Sequence, residues 1–181
     1  MQSPGQSLTF GRMIADRRTS VAFTGHRTYR GAAADALRRT VGELYARGFR
    51  TFLSGMAVGF DLAAAEAVLE LRERMPGVRL VAAVPFRGQE MRFSPADRER
   101  FRRVLAEADS VEVLAPAYHR GCYAVRNDFL VDNARVLVAW YDGSPGGTRY
   151  TVRRALGRGL EVVNLCPAAP VPPAPEPTLF G

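Results

Sequence analysis

The chain contains no lysine: all 25 of its basic residues are arginines, set against 18 Asp and Glu for a net charge of +7. An excess of that sign favours phosphate-bearing ligands or nucleic acid. The arginines are nevertheless scattered over every expected helix instead of gathering in one basic run, so the charge alone is a weak pointer to nucleic acid. Cysteine is nearly absent too. Cys122 and Cys166 have neither CxxC spacing nor an even framework of partners, which excludes a disulfide scaffold and a structural metal, and both are read as ordinary buried or half-buried thiols. The two histidines, His26 and His119, fall in different loops without the spacing of a metal site, so neither a metal nor another cofactor is expected. No run approaches the roughly 18 consecutive apolar residues of a membrane span, and the N-terminal region lacks a signal peptide's apolar run. The expectation is a cytoplasmic protein with no membrane partner. There is no G-x-S-x-G elbow, no Walker Lys-Ser/Thr pair and no G-x-G-x-x-G fingerprint.

What is present is enough for one domain with a real core. The chain has 181 residues, 47% hydrophobic and 24% charged, in the range of ordinary globular proteins. Residues 1–18 lack periodicity and residues 167–181 (PAAPVPPAPEPTLFG) are proline-rich, so both read as tails flanking a domain over 19–166. Within it, short apolar runs alternate with helical patterns: Val21-Ala22-Phe23, Phe49 to Leu53, Val78 to Val84, Val111 to Leu114, Val136 to Trp140 and Leu160 to Leu165 as strands. Five helices intervene, with inward residues such as Leu37, Val41 and Leu44 in the first, Phe101 and Val104 in the third, and Val125, Phe129 and Leu130 in the fourth. Ser94-Pro95 reads as an N-cap and first helical residue. This is an α/β, Rossmann-like pattern: a mainly parallel sheet of about six strands with helices on both faces.

In such a sheet the ligand crevice lies at the carboxyl ends of the strands, and the chemistry-bearing residues cluster just after strands. Gly25, His26 and Arg27 follow the first. The loop Ser54-Gly55-Met56-Ala57-Val58-Gly59-Phe60-Asp61 follows the second and opens a helix, where free N–H groups and the helix dipole favour a phosphate. Asp61 is equally placed to cap that helix, and Glu66 further along it is either near the crevice or a solvated helix charge. Arg126-Asn127 begins a later helix, where an Arg can pair a phosphate bidentately or hold a structural salt bridge. Gly146-Gly147-Thr148 offers a second loop of backbone donors plus a hydroxyl, or a turn with a Thr cap. His26 is placed either to touch a ligand or to hold a structural hydrogen bond.

Taken in order, TGHR, SGMAVGFDLAAAE, PFRGQE, the Tyr118 to Asn133 stretch with RN and VDNA, and YDGSPGGT resemble the YpsA-like branch of the SLOG superfamily, the group that includes DprA/Smf DNA-processing proteins and LOG-type phosphoribohydrolases. The resemblance spans about residues 20–165. It implies a Rossmannoid fold whose pocket senses or processes a nucleotide or nucleotide-derived ligand, with Gly25, His26, Arg27, Ser54, Gly55, Met56, Gly59, Asp61, Arg126, Asn127, Gly146, Gly147 and Thr148 as the candidate binding set and no catalytic residue assigned. Two alternatives accompany it: LOG-like N-glycosidic cleavage of a nucleotide derivative, and DprA-like binding of single-stranded DNA. LOG enzymes carry G-G-x-G-T-x-x-E, whereas here Gly146-Gly147-Thr148 lacks the interposed glycine and Thr151 stands where the Glu belongs. Whether the chain is an enzyme, and whether it forms a homo-oligomer, stays open at this level.

Overall fold

A computed structural model describes residues 16–167; the rest of both expected tails lies outside the described residues. Six strands and five helices alternate: β1 (Ser20–Gly25), α1 (Ala34–Ala46), β2 (Thr51–Ser54), α2 (Phe60–Arg72), β3 (Arg79–Val84), α3 (Pro95–Glu107), β4 (Ser110–Val113), α4 (Cys122–Asp132), β5 (Val136–Trp140), α5 (Gly147–Gly157) and β6 (Glu161–Asn164). Single 3-10 turns occupy Arg17–Thr19 and Gln89–Arg92. Every strand pair is parallel, as continuous apolar runs joined by helices require.

The strand order is β4-β3-β2-β1-β5-β6. The chain steps outward from β1 to β4, then returns through α4 to lay β5 on the other side of β1. Right-handed crossovers made in opposite directions put their helices on opposite faces. Accordingly α2 packs between α1 and α3 on one face, while α4 and α5 pack together on the other. Alternating strand residues divide between two cores. Val21, Phe23, Phe52, Leu80, Val136 and Val138 meet α1 to α3, whereas Ala22, Leu53, Val81, Leu137 and Ala139 meet α4 and α5. Strands β4 and β6 are the sheet edges, which is why their residues are half-buried or exposed where those of β1 and β5 are almost all buried.

Local signals end the helices where expected. Gly48 takes φ +98° after α1, a C-terminal stop that L side chains resist. The Ser94 hydroxyl accepts from the Asp97 amide at 3.2 Å and Pro95 opens α3. The fourth helix departs in part from its expected face. Leu130 is buried and Phe129 packs beside it as expected, but Val125 is 49% exposed, and Cys122, Arg126, Asn127 and Val131 complete the inward face.

Candidate functional site

The order reversal between β1 and β5 leaves a crevice outside their carboxyl ends, the position where open α/β sheets bind ligands. The segments that reach it are held by the β2–α2 turn. Ser54 is fully buried; its hydroxyl donates to the Asp61 carbonyl at 2.8 Å and accepts from the Met56 amide at 3.2 Å. Met56, also fully buried, takes φ +59° within the core, a left-handed conformation unusual for a residue with a side chain. Gly59 has φ +85°, and a Cβ there would stand 2.6 Å from the His26 carbonyl oxygen and 2.7 Å from that of Arg27. Only glycine permits the β1 loop to lie this close to the start of α2. Phe60 then anchors the helix edge-on against Tyr29 (5.2 Å) and Phe23 (6.5 Å).

A cavity of 290 Å³ opens at this point. Thr24, Gly25, His26 and Arg27 line it from β1, Ala57 and Asp61 from the α2 turn, Tyr123, Arg126 and Asn127 from α4, and Gly147 and Thr148 from α5. The three helices that reach it begin at glycine N-caps, Gly59, Gly121 and Gly146, none with a side-chain cap bond. In α2 the Phe60 and Leu62 amides are taken by the His26 and Ala57 carbonyls at 3.4 and 3.2 Å, and in α4 the Cys122 amide by the His119 carbonyl at 3.2 Å; the first turns of α4 and α5 still bring the positive dipole end to the crevice.

Arg126 and Asp61 form the buried electrostatic centre. The Arg126 guanidinium donates through Nε to Asn127 Oδ1 at 2.8 Å and through Nη1 to the Gly55 carbonyl. Burial pulls its pKa down, against the attraction of Asp61. Asp61 is 4% exposed, and its Oδ1 has no hydrogen-bond partner among the described residues. It does not cap α2, whose N-cap is Gly59. Burial pushes its carboxyl up to about 6, while Arg126, the Ala57 amide, Arg27 and the Gly25 amide pull the other way.

That shift has a definite sign. The folded chain takes up the Asp61 proton more readily than the unfolded chain, so its contribution is most favourable below pH 4 and declines as pH rises to about 6. The decline is on the order of 3 kcal/mol, from 1.36 kcal/mol per pKa unit. Urea unfolding of the native chain and of Asp61→Asn between pH 4 and 7 is expected to show the native chain losing that amount relative to the variant. A difference independent of pH would contradict it.

The other expected binding residues divide. Gly55 and Ser54 lie beneath the crevice rather than on it: a Cβ on Gly55 would stand 2.8 Å from both Arg126 Nη1 and Asp61 Oδ2. Met56 is core. Gly59 and Gly146 act as helix starts and do not line this cavity. His26 lines it but is engaged, with Nε2 2.7 Å from Asp142 Oδ1 and 3.2 Å from the Asp142 amide. The carboxylate in turn accepts from the Ser144 amide and hydroxyl at 2.9 and 2.6 Å, so His26 pins the β5–α5 loop to β1. Arg126 and Asn127 stand one turn inside α4, not at its start. Tyr123, Thr24 and Ala57 were not singled out from the sequence; Tyr123 is three residues before Arg126 and shares its helix face.

A larger cavity, 630 Å³, lies between α1 and α2. Its charges are largely matched among themselves. Glu66 receives Arg100 at 2.8 and 2.9 Å and Arg103 at 3.3 Å, and Glu70 receives Arg38 at 3.1 Å. Glu66 is therefore an ion-pair partner on the α2–α3 face. Thr151 is fully buried and its hydroxyl donates to the Gly147 carbonyl at 2.8 Å, leaving Asp61 as the one carboxylate on the smaller crevice. No group of three or more His, Cys, Asp or Glu among the described residues is arranged to hold a metal, and no helix there is long and apolar enough to cross a membrane.

Comparison with known proteins adds three findings. The YpsA family model, described as the YspA SLOG family, matches residues 22–159. A UPF0398 protein of Bacillus thuringiensis (strain Al Hakam) is 29% identical over 132 residues, 71% of each chain. Among solved structures, DNA processing protein A (DprA) from Streptococcus pneumoniae superposes with TM-score 0.58 at 20% identity, covering 79% of this chain and 48% of that one. The Helicobacter pylori protein of the same name, whose structure is described as giving insights into a single-stranded DNA binding mode, superposes with TM-score 0.56 at 16% identity over 79% and 64%. This chain thus spans about half the length of the pneumococcal protein and just under two thirds of the Helicobacter one.

Proposed function

Since this chain belongs to the YspA SLOG family, we propose that it binds a nucleotide or nucleotide-derived ligand in the crevice at the β1–β5 switch point, with the ligand's phosphate against the first turns of α4 and α5. One observation carries this reading: the N-terminal turns of α4 and α5, neither with a side-chain cap, and the buried Arg126 border a single cavity. Backbone amides at helix starts together with a guanidinium suit a phosphate. Asp61 supplies the complementary requirement. A carboxylate that lines the same cavity can accept from a sugar hydroxyl, so phosphate and sugar are accommodated together. The cytoplasmic location expected from the sequence belongs to this proposal.

Single-stranded DNA is the second reading, favoured by the fold shared with DprA proteins and by the +7 charge. It predicts affinity falling steeply with salt. LOG-like cleavage has less support, because the position of its glutamate is the buried Thr151.

Calorimetry with AMP, ADP and a short thymidine oligonucleotide tests the proposal. Thr148 lines the crevice, and Thr148→Val removes only its hydroxyl; losing one hydrogen bond of about 1 kcal/mol weakens the bound probe about fivefold. Absence of binding by all three probes to the native chain would overturn the proposal.

A further inference from the structure

The crevice has an aromatic lip. Tyr123, which lines the cavity, lies 6.4 Å from Tyr118, and Phe86 meets both rings nearly edge-on, at 5.4 Å from Tyr118 and 5.9 Å from Tyr123. The Phe86 ring is buried with Ala115 and Cys122 and fixes the other two from below. Guanidinium groups lie over the outer rings: Arg92 at 4.6 Å from the Tyr118 centroid, Arg27 at 5.2 Å and Arg126 at 5.8 Å from that of Tyr123. Tyr118 is nonetheless 52% exposed, and Met91, beside Arg92 in the chain, is 64% exposed.

A single exposed ring on a protein surface needs no explanation. Three contiguous rings, one lining an anion-suited crevice and the outermost half open between Phe86 and Arg92, are a different matter. Rigid aromatic surface flanked by arginine is the arrangement on which flat heterocycles stack, because every base has a π-face and arginine adds attraction from the side or from above. The motif PFRGQE, without a role in the crevice itself, supplies Phe86, and the stretch that also lines the crevice with Tyr123, Arg126 and Asn127 supplies the other two rings.

We infer that Tyr118, braced by Phe86 and Tyr123, is a stacking platform for a base attached to the phosphate bound in the crevice. The inference rests on the proposed function, because the crevice supplies the phosphate contact from which the base reaches the platform. The shared chemistry, a phosphate carrying a flat heterocycle, has two sources: a free nucleotide or a single strand.

The experiment measures binding of AMP, ribose 5-phosphate, a thymidine oligonucleotide and the same oligonucleotide with abasic sites to the native chain, Tyr118→Ala and Tyr118→Phe. Tyr118→Ala is expected to weaken base-bearing probes at least fivefold, the lower end of measured base–aromatic stacking, and to leave ribose 5-phosphate unchanged. Tyr118→Phe retains native affinity. Loss confined to AMP assigns the platform to a free nucleotide, and loss confined to the base-bearing oligonucleotide assigns it to a strand. Native binding of base-bearing probes that is indifferent to Tyr118→Ala overturns the platform and leaves the crevice standing. If none of the four probes binds the native chain, both readings fall together.

Discussion

Replacing Arg126 with methionine is expected to abolish phosphate binding and to destabilise the fold by about 1–3 kcal/mol at neutral pH, the cost of leaving buried polar groups without their donor. Methionine fills much of the same volume, so the loss arises from the missing donors and charge. Asp61 is left buried without its principal counter-ion, and the Asn127 side chain and Gly55 carbonyl lose their donors. The carboxyl then climbs further above 6 and takes up a proton more readily. The destabilisation should therefore shrink towards pH 4, and adding Asp61→Asn to Arg126→Met should recover part of it. Urea unfolding at pH 4 and pH 8, with calorimetry on the same variants, checks each part. Native-like stability at both values would mean that the pair does not organise the crevice.

The second large effect comes from a residue with no side chain. A Cβ on Gly25 would lie 2.4 Å from Phe60 Cβ and 2.6 Å from Phe60 Cγ, closer than carbon atoms approach. Phe60 has nowhere to go, being fully buried against Phe23 and Tyr29. Gly25→Val therefore has to push the start of α2 away from β1, and Asp61 moves with it. Overpacking of this kind costs about 1–3 kcal/mol and occasionally more; the added methyls place Gly25→Val at the upper end. Gly42→Ala in the middle of α1, where a Cβ meets nothing within 4 Å, should stabilise instead, by about 0.5–1 kcal/mol. Thermal melts of the two variants are expected to move in opposite directions. A Gly25→Val protein that melts with the native chain would show that the close approach of β1 and α2 is dispensable.

Most of the elements were legible because each strand is an apolar run bounded by glycine, proline or a polar turn, whereas the strand order was not, since alternating strands and helices suit several parallel orders. The exception, α4, shows the limit. Its inward face carries Arg126 and Asn127 beside Leu130, polar residues bordering a crevice, so apolar periodicity passed over them and put Val125 inside. The site was partly legible for the same kind of reason. Residues after strands come together because parallel topology gathers strand ends. Sequence position, however, does not separate a residue that lines a cavity from one lying beneath it. Ser54, Gly55 and Met56 shape the turn on which Asp61 stands, and that distinction rests on contacts between β2, α2 and α4. His26 was left open between two roles, and its geometry with Asp142 accounts for it as a brace between two loops while its ring still borders the cavity. The aromatic lip had no periodic signal, because Phe86 and Tyr118 come from separate loops.

The glycine starts of α4 and α5 carry a consequence for how this crevice is probed. If the main chain supplies most of the donors, substituting side chains one at a time, as in an alanine scan, leaves those donors in place and under-reports them. Relatives can then exchange many surrounding side chains and keep the same anion chemistry, provided the hinge positions still admit the required backbone angles. Amide nitrogen chemical shifts of residues 122–124 and 147–149, followed during titration, report on this directly where mutagenesis does not.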